Sequence, residues 1–236
     1  PAGRMLLERG RVLLEAAEHL VGETRALARG WETDITIAVD ALVPLQALYP
    51  LVERLAEQTD TRLRLRAEVL AGSWECLEDG RADLLISSLN PDIMMTGIKH
   101  QPLQEEVMLY VAHPDHPLHL EPEPLADETL RRYRAIAIAD TARRKPALTY
   151  RLLDKQPRLT VSTMGEKRDA LLAGIGVGTM PLSWIEEDIK AGRLKVIGPE
   201  YRHQVQVVLA WRRDTMGKAK SWLVREIPKL FPCKGE

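Results

Sequence analysis

The sequence predicts an α/β fold in which two β/α units of similar size are joined by two crossing strands and preceded by one long helix. Three observations carry this. A proline-free stretch from Ala2 to Arg29 repeats leucine every seven residues, short apolar runs alternate with amphipathic stretches beyond Gly30, and that alternation occurs twice around a proline-rich loop. At 236 residues the chain exceeds the rough size of about 150 residues expected of one domain and can bury a substantial core.

The opening helix places Leu6, Leu13, Leu20 and Leu27 on one face. Gly3, Gly10 and Ala17 form a second heptad position of small residues that would let a neighbouring backbone approach. Glu8, Arg9, Arg11, Glu15, Glu18 and Arg25 keep the remaining surface wet. The stripe is narrow and precedes the globular part, which predicts pairing with a second copy of the chain. Packing on its own domain is the alternative.

After Gly30 the elements follow in order. Asp34 to Val39 is expected as a strand and Ala41 to Glu57 as a helix. Arg62, Arg64 and Arg66 alternate with Leu63, Leu65 and Ala67, the period of a strand with one solvated face, a basic groove being the alternative. Gly72 to Glu78 is expected as a short helix ended by Gly80, and Asp83 to Ser87 as a buried strand. The second set opens with a strand from Val107 to Ala112 and a loop carrying His113, Pro114, His116, Pro117, Pro122 and Pro124. Then come a strand at Ala135 to Ala139, a helix within Ala147 to Lys155, a strand at Leu159 to Ser162 and a helix at Glu166 to Ala173. A strand at Val177 to Met180, a helix at Ser183 to Ala191, a strand at Gln204 to Trp211 and a helix at Lys218 to Leu230 complete the chain.

Composition is that of a folded protein, with 45% hydrophobic and 28% charged residues. A formal net charge of −1 without a basic arm supplies no electrostatic footprint for nucleic acid. Cys76 and Cys233 are too few for a disulfide framework or a zinc site, in keeping with the cytoplasm. Neither a signal peptide nor a run of about 20 apolar residues occurs, so no membrane partner is expected. The start at Pro1 is expected of a fragment.

No catalytic constellation is legible. Nucleophile elbow, H-E-x-x-H, kinase and dinucleotide patterns are missing, and Ser87 and Ser88 have no His and acid at recognisable spacing. His113 and His116 are each followed by proline and lack a third ligand, so they read as a turn, and neither metal nor cofactor is expected. Gly174, Gly176 and Gly178 in A-G-I-G-V-G-T-M-P read as a tight turn from helix to buried strand, where glycine permits positive φ. Arg131, Arg132, Arg134, Arg143, Arg144 and Lys145 cluster in the second half and read as a solvated face in preference to an anion site.

Four segments, in this order, resemble the LysR-type transcriptional regulators. A-G-R-M-L-L-E-R-G-R-V-L-L is similar to their linker helix, and G-S-W-E-C-L-E-D-G-R-A-D-L-L-I at 72–86 to a helix, an L-x-x-G-x-x-D turn and a strand. P-L-Q-E-E-V-M-L-Y-V-A-H-P-D-H-P-L at 102–118 resembles a crossover strand with its tail. A-L-L-A-G-I-G-V-G-T-M-P at 170–181 resembles the A-G-x-G-x-x-x-x-P signature, with A-G-R-L after it. The resemblance implies a regulatory domain of periplasmic-binding-protein-like fold with two Rossmann-like subdomains. These are 33–107 with 208–236 and 108–207, following a linker and dimerisation helix at 1–31. It also implies a small-molecule effector in the cleft between subdomains, self-association as dimer or tetramer, and DNA binding only through a winged helix-turn-helix that this stretch lacks.

Ligands of open α/β sheets bind beyond the carboxyl ends of strands, near free helix N-termini. That rule selects Asp40, Ala41 and Leu42, Ser87 and Ser88, Asp140 and Thr141, and Thr163, Met164 and Gly165 as the ligand-binding residues, each with a capping or turn role as its alternative. The resembled family commonly has Ser or Thr at the start of the first helix, where this chain has Asp40, Ala41, Leu42 and Val43. A carboxylate there is expected to disfavour anions and to favour a neutral or cationic effector with an apolar portion. A solute-binding protein of a transport system shares the two-lobed cleft, and a small α/β enzyme is the third class. The heptad helix argues against the first and the missing catalytic set against the second.

Overall fold

The computed structural model describes residues 30–89, 97–213 and 216–231. Leu6, Leu13, Leu20 and Leu27, and Cys233, lie outside the described residues.

The first unit is built on strands β1 (Asp34–Asp40), β2 (Arg62–Glu68) and β3 (Leu84–Ser88), with β1 parallel to both neighbours. Parallel sheets are covered on both faces, and the alternation along β1 shows it. Ile35, Ile37 and Val39 face a core shared with Leu51 of helix α1 (Tyr49–Ala56), while Ala38 faces a second core with Trp74 and Leu77 of helix α2 (Ala71–Glu78). β2 closes the edge. Its Arg62 and Arg64 pair with Asp34 and its Arg66 with Glu68, so the alternating arginines form an ion-paired solvated face.

The crossing strands are β4 (Ile98–Ala112) and β9 (His203–Arg212), 15 and 10 residues long. They pair antiparallel from Ile98 opposite Arg212 to Met108 opposite His203, with a register shift between Pro102 and Gln104. β9 also pairs with β3, and β4 with β7 (Gly178–Pro181) and β8 (Lys195–Val196), so one sheet runs β2-β1-β3-β9-β4-β7. In the second unit β5 (Ala135–Ile138) and β6 (Arg158–Val161) form a parallel pair, tied to the start of β7 by a bridge between Ala135 and Val177. The one-turn helix α3 (Asp127–Leu130), with α4 (Met164–Leu172) and α5 (Leu182–Lys190), covers this unit, and α6 (Lys218–Glu226) returns to the first.

Two expected helices differ. The helix expected over Ala41 to Glu57 begins only as a 3-10 turn at Leu45–Leu48 and becomes α1 at Tyr49. Pro44 disfavours helical backbone at Val43, and Pro50 is accepted only because it sits in the first turn of α1. No helix forms within Ala147 to Lys155. Arg151 and Lys155 there adopt φ of 49° and 62°, which a right-handed helix excludes. The glycine-rich turn also needs refinement, since Gly174 has φ of 72° but Gly176 is required by proximity: a Cβ there would lie 2.3 Å from the Arg134 carbonyl oxygen.

The basic cluster of the second half is largely neutralised in place. Arg131 meets Asp127 and Glu128, Arg132 meets Glu121, Arg144 meets Asp79 and Lys145 meets Glu78. At the far end, Glu226 of α6 accepts from Lys229 at 2.8 and 2.9 Å and pairs with Arg225 and with Arg54 of α1. Lys229 first, then the two arginines, hold its carboxyl down at about 2 against burial. A folded value below the ordinary 4.5 means that the stabilisation is present above pH 4.5 and is lost as pH falls toward 2. Glu226→Gln is therefore expected to flatten the acid limb of thermal stability in that window, and an unaltered limb would remove this carboxylate from the acid response.

Candidate functional site

Where the first unit's strands end against the second unit, a cleft of about 70 Å³ opens. Asp40, Ala41 and Leu42 follow β1, Val69 and Leu70 follow β2, and Ser88 ends β3. Met108 and Val205 come from the crossing strands, and Ile138, Tyr150, Met164, Lys167 and Thr179 from the second unit. The walls are mainly apolar with a few convergent polar groups, the usual make-up of a small-molecule site.

Asp40 is buried, and donors surround its carboxylate. Oδ1 accepts from Leu42 N at 3.0 Å, and Oδ2 from Leu70 N at 3.1 Å and from Ser73 Oγ at 2.6 Å, with a further bond from Ser87. Burial pushes its pKa up despite those bonds. The residue thus closes an Asx turn and does not cap α1, whose N-cap is Leu48. Its bond to Leu70 holds that residue at φ of 52°, a backbone strain placed on the cleft wall. The carboxylate's hydrogen-bonding capacity is thus largely taken up by the protein itself.

Asp140 and Thr141, two of the expected ligand-binding residues, clasp the two units together and lie outside the cleft lining. Asp140 accepts from Ala71 N and Gly72 N at 3.3 and 3.0 Å and so caps α2 from the opposite unit. It also accepts from Ala142 N and Leu148 N at 2.8 and 2.7 Å. The Thr141 hydroxyl accepts from Val69 N at 2.9 Å. Gly72 is glycine because a Cβ would fall 2.1 Å from Thr141 Oγ1. From α2, Glu75 completes the clasp by accepting from the backbone N–H groups of Arg143, Arg144 and Lys145, each at 3.1 Å. Those donors, Arg144 N foremost, hold its pKa below the ordinary value.

Thr163 is engaged in a capping box: its hydroxyl accepts from Glu166 N at 3.1 Å while Glu166 Oε2 accepts from Thr163 N at 2.9 Å. Gly165 lies beside that cap, away from the cleft lining, and Ser87 is buried against Asp40. Of the ten ligand-binding residues expected, the structure brings Asp40, Ala41, Leu42, Ser88 and Met164 to the cleft.

Sequence reasoning missed Lys167 and Thr179 in particular. Met164, Lys167, Ala170 and Leu171 are the buried positions of α4, so a lysine occupies the helix's apolar stripe. That pattern was legible. Lys167 is 7% exposed, and burial pulls its pKa down to about 8. The Thr179 hydroxyl is buried and has no hydrogen-bond partner among the described residues. Tyr150 reaches from the loop after β5 to hydrogen-bond His203 Nε2 on β9 and stacks on its ring. Among the described residues no group of His, Cys, Asp and Glu is arranged to hold a metal, and no helix is long and apolar enough to cross a membrane.

Residues 28–231 match the family model described as the LysR substrate binding domain. The chain is 57% identical over 235 residues to the probable HTH-type transcriptional regulator YhaJ of Escherichia coli (strain K12), covering 98% of this chain and 78% of that protein. It is 33% identical over 229 residues to the uncharacterized HTH-type transcriptional regulator YeeY of the same strain, covering 95% and 74%. Among solved structures, full-length LysG of Corynebacterium glutamicum with bound effector Arg is similar, with TM-score 0.66 and 20% identity over 94% of this chain and 78% of that one. ArgP of Mycobacterium tuberculosis matches with TM-score 0.63 and 19% identity over 93% and 74%.

Proposed function

Because the chain belongs to the LysR family of transcriptional regulators, whose substrate-binding domain it carries, we propose that the cleft between its two units is where the effector binds. The chain is the effector-sensing regulatory domain of a transcription regulator; its relatives are regulators, not enzymes, and nothing supports a transport receptor. The observation that carries the cleft reading is its lining: both units and both crossing strands contribute to one mainly apolar cavity. A ligand held there bears on the relative position of the units, which we divide at 33–107 with 208–236 and 108–207. Occupancy then shifts an equilibrium of rotation about the crossing strands near Leu109 and Val207. The clasp from Asp140 and Glu75 to α2 must loosen in such a rotation. DNA would be contacted by a helix-turn-helix domain, the element for which the relatives are named, and the protein would work in the cytoplasm as a dimer or tetramer.

A thermal-shift screen of small metabolites on wild type and Ala41→Trp tests the site. Compounds that raise the wild-type midpoint are expected to lose their effect when the indole fills the cleft. Equal shifts in both proteins would assign binding elsewhere. The assembly part is tested by sedimentation, where Leu13→Arg is expected to lower the mass of the associated species by breaking the leucine face. Undiminished association would leave any oligomer to the α/β body.

A further inference from the structure

A primary amine attacks a carbonyl carbon only in its neutral form, and burial without a counter-charge is what makes a lysine amine neutral near physiological pH. Lys167 meets that condition by its placement. It shares the apolar stripe of α4 with Met164, Ala170 and Leu171 and is 7% exposed. No group among the described residues bonds to or pairs with its Nζ. Its stem runs past Gly178 of β7, where a Cβ would lie 3.2 Å from Lys167 Cε, so the glycine leaves the path open. The side chain lines the cleft between the units. Two other titratable groups share that lining, Asp40 and Tyr150, and neither serves the lysine. Asp40 is occupied by Leu42 N, Leu70 N, Ser73 and Ser87, and Tyr150 hydrogen-bonds His203 Nε2. Burial alone lowers the Lys167 pKa, to about 8 from the ordinary 10.5. At pH 7 the amine is then about one-tenth neutral, on the order of a hundredfold more than that of an exposed lysine. An unpaired buried amine costs stability, and costs of that kind are retained at functional sites.

We propose that Lys167 captures a compact aldehyde or ketone with an apolar body in the cleft, as a reversible imine. This rests on the reading of the cleft as the effector site and adds that the ligand is held by a covalent bond. The amine nitrogen bonds to the carbonyl carbon as the carbon–oxygen π bond breaks. The carbonyl oxygen then leaves as water, taking both amine protons with it, and a C=N bond joins Nζ to the ligand. No oxidant, reductant or cofactor enters the step. Walls from Leu42, Met108, Ile138, Met164 and Val205 match the hydrocarbon part of the ligand and keep bulk water from the imine. Lys167 stands on the second unit and faces a lining that Asp40, Ala41 and Leu42 supply from the first, so a ligand fixed to Nζ bears on how the units sit together.

The test incubates the chain with benzaldehyde and cyanoborohydride, which reduces an imine to a stable secondary amine, and maps the benzylated lysines by peptide mass spectrometry. At neutral pH and limiting aldehyde, Lys167 is expected to be modified faster than any other lysine by on the order of tenfold or more. That ratio should shrink as pH rises through about 8 toward 10.5, where exposed lysines also lose their protons. In Ala41→Trp, labelling of Lys167 should fall to the level of the other lysines. Without reductant, benzaldehyde should raise the melting midpoint of wild type and not that of Lys167→Arg, which keeps a cation and forms no imine. Labelling of Lys167 no faster than that of exposed lysines would overturn imine capture, as would a ratio indifferent to pH or equal midpoint shifts in wild type and Lys167→Arg. Each of these leaves the cleft reading to the metabolite screen, which needs no covalent bond. Preferential labelling that survives Ala41→Trp would show that the reagent reaches the lysine by another route, and would overturn both.

Discussion

Asp40→Ala is expected to destabilise the protein by about 3 kcal/mol or more, because it strands several donors at once, each costing about 1–3 kcal/mol when buried and unpaired. Leu42 N, Leu70 N and Ser73 Oγ all lose their acceptor, as does Ser87. Asparagine should cost less, since its carbonyl can still serve one of the two backbone N–H groups. The pH dependence has a definite sign. Burial raises the folded pKa above the ordinary 3.8, so the side chain's contribution is largest below pH 3.8 and declines as pH rises through the folded value. The stability gap between wild type and Asp40→Ala, from urea titrations at several pH values, should therefore be widest in acid and narrow toward neutrality. A gap that widens with rising pH would mean that the ionised form is the one the fold favours. Function follows from the same bonds: with Leu70 released from φ of 52°, the cleft wall relaxes and ligand affinity should fall even where the variant remains folded.

How much of this was legible differs by element for physical reasons. Periodicity exposed β1, β2, β3, α4 and α5, because burial on one or two faces imposes a repeat on the sequence, but not the one-turn helix α3. It misplaced the start of α1, where Pro44 and Pro50 override apolar spacing, and it expected a helix between Pro146 and Pro157, where Arg151 and Lys155 adopt left-handed backbone. The first crossing strand was located but shortened, since Ile98 to Glu106 is mostly polar, without period-2 alternation, and carries a register shift near Leu103. The rule about strand ends chose Asp40, Ala41, Leu42 and Ser88, which line the cleft. It also chose Asp140 and Thr141, whose side chains bond to the first unit, because the rule does not separate a strand end that faces a cavity from one that faces the other unit. The missed Lys167 left a signal, a charge on a buried stripe, whereas Tyr150 left none: a loop tyrosine reaches the cleft only through its pairing with His203.

Trp74→Ala should produce the other large effect, about 3–5 kcal/mol, by opening a cavity in a core that cannot collapse to fill it. Trp74 is among the largest fully enclosed side chains, packed with Ala38, Leu85, Val208 and Ala210 between α2 and the sheet. Small residues on the strands leave room for one indole and nothing nearby to replace it. Its Nε1 donates at 3.2 Å to the carbonyl oxygen of Ser88, which lines the cleft. The indole therefore positions the end of β3 as well as filling the core. Trp74→Phe separates the two roles, because it retains much of the volume and deletes the bond, at about 1 kcal/mol for the bond itself. Chemical denaturation should rank wild type above the Phe variant and the Phe variant above the Ala variant. Ligand titration of the folded Phe variant should show a weaker cleft than its stability alone accounts for. Were the Phe variant to bind as wild type does, Trp74 would be a packing residue only, and the position of Ser88 would be set by the pairing of β3 with β1 and β9.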